Sequence, residues 1–68
     1  MMLDFSKMIL TKVSFDPKLF HKELRKLLLW LGDDKEEVEN LYEWCSENYG
    51  DIYGDIISEE FKNYGYLD

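Results

Sequence analysis

Cysteine, proline and histidine each occur once in the 68 residues, as Cys45, Pro17 and His21. A lone cysteine has no intramolecular partner, so a secreted disulfide scaffold is excluded. One histidine and one cysteine cannot supply a tetrahedral nitrogen and sulfur metal site within one chain. They also leave a single candidate nucleophile–base pair, His21 with Cys45. Cys45 falls mid-helix among apolar residues, where a thiol behaves as a small hydrophobe. The four glycines are scattered singly, so no phosphate-cradling glycine loop exists. The longest apolar run, Leu27 to Leu31, is five residues where a membrane span needs about 20. Asp4, Lys7 and Lys12 interrupt the N-terminal stretch, which does not read as a secretory signal.

What is abundant is acid and aromatic rings. Asp and Glu number 15 against 8 Lys and Arg, and aromatics make up 16% of the chain. That aromatic content is too high for a solvated tail, so one small folded, cytoplasmic domain is expected. Charge divides sharply at Gly32. Residues 1–31 carry a net +3 and residues 32–68 a net −10.

Local signals predict an all-α, three-helix domain: a helical hairpin plus a third helix, preceded by an extended N-terminal arm or short strand. Asp16 and Pro17 form an N-cap and first-turn pair, and Phe15 and Phe20 have the spacing of a hydrophobic staple. Phe20, Leu24, Leu27, Leu28 and Leu31 then share one face of a helix over 17–31, which Gly32 stops. Asp33 or Asp34 caps a second helix over 34–49, with Glu36 or Glu37 three residues on. Val38, Leu41, Tyr42, Cys45 and Tyr49 form its apolar face, and Gly50 is its expected end. A third helix over 51–64 is expected, with Gly54 allowing a start as late as Asp55. Gly65 is a C′ glycine that lets Tyr66 pack on Phe61. Residues 1–15 form the arm and 16–68 the single helical domain. The alternation Ile9, Thr11, Val13, Phe15 favours an extended arm, and a short helix over 3–8 capped by Asp4 is the alternative.

Two charged rows are the most informative pattern. Lys18, Lys22, Arg25 and Lys26 lie opposite the leucine face of the first helix. Glu36, Glu39, Glu43 and Glu47 lie opposite the apolar face of the second. Solvated outer faces of this kind are ordinary. The negative second helix nevertheless argues against direct nucleic-acid binding, because it would repel phosphate. Leu19, Leu29, Trp30 and Trp44 fit neither core face, and such residues surrounded by charge resemble interface anchors. The expected function is therefore non-catalytic: an interaction module binding another protein or a second copy of itself. Leu19, Leu29, Trp30 and Trp44 would anchor the partner, and Glu36, Glu39, Glu43 and Glu47 would select it by charge. The alternative is an acidic nucleic-acid mimic that inhibits a nucleic-acid-binding protein. No cofactor, metal or membrane contact is expected.

Overall fold

The computed structural model describes residues 2–67 and consists of three helices: α1 (Met2–Lys12), α2 (Pro17–Leu31) and α3 (Lys35–Tyr64). There is no strand among the described residues. The domain is all-α, as the periodicity requires.

α2 begins and ends as its sequence dictates. The Asp16 carboxylate accepts hydrogen bonds from the backbone N–H groups of Lys18 and Leu19 at 2.9 and 3.4 Å. Phe15 stays 77% exposed while Phe20 is buried, so the expected staple between them does not close. At the other end Gly32 adopts φ 60° and ψ −129°, the first central position of a type II′ turn. The Asp34 N–H donates to the Leu31 carbonyl across that turn. Asp34 in turn caps α3 by accepting from the Glu37 N–H at 3.2 Å. The reciprocal half of the capping box is missing, because the Asp34 N–H is already spent on Leu31.

The two expected helices over 34–49 and 51–64 are one helical element with a sharp bend. Gly50 and Gly54 both lie inside helix, and the break falls between them at Tyr53 (φ −121°, ψ 27°). A straight helix of 30 residues would be about 45 Å long. The whole molecule extends only 28 Å, so the second limb (54–64) must return beside the first (35–52). Tyr42 packs edge-on against Phe61 at 5.1 Å and meets Tyr66 at 5.3 Å, across that return. The Tyr53 hydroxyl donates to the Ser14 carbonyl, tying the bend to the loop between α1 and α2. Gly65, at φ 105°, closes α3: its N–H and that of Tyr66 both donate to the Phe61 carbonyl, and Tyr66 packs on the Phe61 ring.

The N-terminal stretch is a helix rather than an extended arm. An isolated strand would leave its backbone groups unpaired, whereas a helix satisfies them internally. Leu3, Ser6, Leu10 and Val13 recur at helical spacing and face the core, with Ser6 and Leu10 fully buried. The polar Ser6 interrupts this stripe, so the period-2 pattern over 9–15 is the more visible one. α1 lies against both other helices. The core centres on Phe20, Leu24, Leu41, Cys45 and Phe61, all without exposure. No described helix is long and apolar enough to cross a membrane.

Candidate functional site

The residues singled out by sequence separate into distinct places. Successive helical residues point about 100° apart, so Leu29 and Trp30 leave α2 on different flanks. Trp30 turns toward α1, where its ring stacks on Phe5 at 6.0 Å, yet it remains 67% exposed. Trp44 is half-buried: the Lys7 ammonium lies over its ring at 5.9 Å and Tyr49 meets it edge-on at 5.6 Å. Leu19 is exposed in the first turn of α2. Leu29, by contrast, joins the acidic row.

That meeting point is a groove of about 890 Å³ where the end of α2, the start of α3 and the C-terminal turn converge. Leu28, Leu29 and Val38 supply apolar surface, and Tyr64 and Tyr66 form an aromatic side. Asp33, Glu36 and Glu39 line it with carboxylates, against a single cation, Lys35. Glu43 and Glu47 continue the row along α3, both exposed. Among the described residues none of Glu36, Glu39, Glu43 and Glu47 forms an ion pair. The field of this row is felt by Tyr66. Burial pushes its hydroxyl pKa up, and the negative charges of Glu39 and Glu43 raise it further.

A second polar cluster was not singled out by the sequence. Glu60 is 3% exposed, and its carboxylate meets His21 Nε2 at 2.5 Å. Arg25 donates to the same carboxylate through Nε at 3.2 Å and Nη2 at 3.1 Å. Burial alone would raise the Glu60 pKa. The hydrogen bonds from Arg25 and His21 outweigh it and hold the carboxyl below its ordinary value. A signal for this cluster exists. Glu60 lies three residues after Ile57 and four before Tyr64, on the apolar stripe, and an acid there needs a buried partner. His21 and Arg25, one turn apart on α2, are that partner. Glu59 brings a third ligand-type side chain, so that His21, Glu59 and Glu60 offer atoms within 4.8 Å of one another. Arg25 already holds both Glu60 oxygens, so the chain supplies its own cation there.

Cys45 is fully buried, and desolvation pushes its thiol up to about 12. It lies in the core while His21 is engaged by Glu60. No protein-family model matches the chain, and no curated protein or solved structure is significantly similar to it.

Proposed function

We propose that this protein is a non-catalytic interaction module whose acidic groove takes a positively charged, amphipathic segment of a partner protein. The supporting observation is the position of Leu29. It is 74% exposed, and it stands in a groove edged by Asp33, Glu36 and Glu39. An exposed aliphatic side chain between carboxylates free of ion pairs suits an occupant whose cationic heads meet the acids while its aliphatic stems cover the leucine.

The probe is a synthetic peptide alternating lysine and leucine at helical spacing, titrated by fluorescence anisotropy. Glu36→Lys with Glu39→Lys, and separately Leu29→Ser, should each weaken its binding by about tenfold or more, equivalent to roughly 1.4 kcal/mol. Glu47→Lys with Asp51→Lys changes net charge equally outside the groove and should leave affinity close to wild type. Equal loss in both charge variants would overturn the groove as the site. The acidic-mimic reading draws on the same row of Glu36, Glu39, Glu43 and Glu47, continued by Asp51, Asp55 and Glu59. It requires binding that ignores Leu29→Ser and vanishes when Glu39, Glu43 and Glu47 become lysine, and that result would replace the groove reading.

A further inference from the structure

The groove calls for an occupant with cations beside an exposed aliphatic side chain, and α2 itself has that surface. Lys18, Lys22, Arg25 and Leu29 follow at i, i+4, i+7 and i+11, a single ridge about 16 Å long. Arg25 is engaged by Glu60, whereas Lys18 and Lys22 are exposed and form no ion pair among the described residues. The position of Lys18 is unfavourable to the helix that carries it. Lys18 lies in the first turn of α2, which has no acidic residue and where the helix dipole favours negative charge. Local helix stability therefore does not account for Lys18.

Basic ridge and acidic groove are parts of one continuous surface. A shallow depression walled by Lys18, His21, Lys22, Arg25 and Lys26 shares Arg25 with a second, which contains Leu28, Leu29 and Tyr64. Those three residues also line the acidic groove. Along this path the charge changes from positive to negative, with Leu29 at the boundary. The basic ridge and the acidic groove are opposite in charge and share Leu29, so the surface carries both signs needed to pair with a copy of itself. Self-complementarity is the requirement of an isologous contact.

We infer that a second copy of this chain docks on this face, about a two-fold axis near Leu29. Each Lys18–Lys22 end lies over the acidic mouth of the other copy, formed by Asp33, Glu36 and Glu39. The two Leu29 side chains meet at the centre, out of water. The inference rests on the reading of the groove as a site for a basic amphipathic segment, and names that segment. Each chain carries a net charge of −7, so overall repulsion opposes the local attraction. Salt screens this repulsion as well as the paired ends, and the Leu29 contact is independent of it, so the dimer should persist at high salt.

Sedimentation equilibrium over a wide concentration range, at low and at high salt, tests this with the full chain. Wild type should form a concentration-dependent dimer at both salt concentrations. Lys18→Glu with Lys22→Glu reverses the basic end, and Glu36→Lys with Glu39→Lys reverses the acidic end. Each variant alone should dimerise at least about tenfold more weakly. Mixed in equal amounts, they should form a heterodimer, because both ends again join opposite signs. That rescue also shows that neither variant has lost its fold. A wild type that is monomeric throughout, or a mixture that stays monomeric, overturns the inference. If wild type is monomeric but still binds the lysine–leucine peptide, only self-docking falls. If it does neither, the reading of the groove falls with it.

Discussion

α2 is flanked on both sides, and the two seams are built differently. Toward α3 it meets fully buried rings and aliphatics, and Glu60 is held there by two cationic or hydrogen-bonding partners from α2. Toward α1 the contact is thinner. Leu10 is buried, but Phe5 and Trp30 remain substantially exposed around a depression of about 290 Å³. One small core thus serves unequal seams. The α3 side carries most of the apolar burial that stabilises so short a chain, whereas the α1 side leaves large rings facing water.

The sharpest test of that inequality compares two phenylalanines. Phe20, on α2, has no exposure and packs on Tyr49 and Tyr53 of α3, so Phe20→Ala should cost about 3–5 kcal/mol. A domain of this length has roughly 3–10 kcal/mol in total, so the variant should be largely unfolded near room temperature, as read by circular dichroism. Phe5→Ala on the α1 seam should cost less than about half as much. Equal losses would show that the α1 seam is as much a part of the core as the α3 seam.

Glu60 provides the next largest effect and gives the α3 seam a pH dependence. Because its carboxyl is held below the ordinary range, it contributes stability above its unfolded pKa, about 4.3. That contribution is lost as pH falls through the lower, folded value. Glu60→Gln removes the charge that Arg25 and His21 bind, and should cost about 1–3 kcal/mol at neutral pH. Urea midpoints measured from neutral to acidic pH should show the wild type approaching the variant as the carboxyl protonates. A constant gap at every pH would mean that the residue acts through shape alone.

How much of this was readable in the sequence depends on how local the determinant is. The α2 boundaries follow from Asp16, Pro17 and Gly32, whose effects act within one turn. The Gly65 closure and the Tyr66–Phe61 contact follow from the same short-range geometry. The sequence places the break between Gly50 and Asp55, but assigns it to the glycines, which are tolerated inside a helix. The break falls instead at Tyr53, where the ring packs on Phe20 and the hydroxyl bonds to Ser14. That determinant lies 39 residues away along the chain. A helix here is only the alternative reading for the N-terminal stretch, over 3–8 rather than Met2–Lys12, because the inward stripe includes Ser6, a polar residue in a buried position. Of the candidate site, the charged rows were visible as helical spacings. The separation of Leu29 from Trp30 follows from helical spacing, but what each meets, the groove closed by Tyr64 and Tyr66 or the Phe5 ring of α1, depends on how the elements dock, and no local pattern encodes that.

The smallest expected effect belongs to the largest exposed ring. Trp30 rests on Phe5, and both rings keep contact with water, so removing Trp30 forfeits little burial. Trp30→Ala should change the unfolding free energy by no more than about 1 kcal/mol. It should also leave lysine–leucine peptide binding unchanged, because Trp30 lies on the other flank of α2 from the groove. The two readouts together separate the seams by role as well as by strength. If Trp30→Ala instead abolishes peptide binding while the fold persists, the recognition surface is the Phe5–Trp30 depression. The weakly packed seam would then be the functional one, and the acidic groove a solvated face.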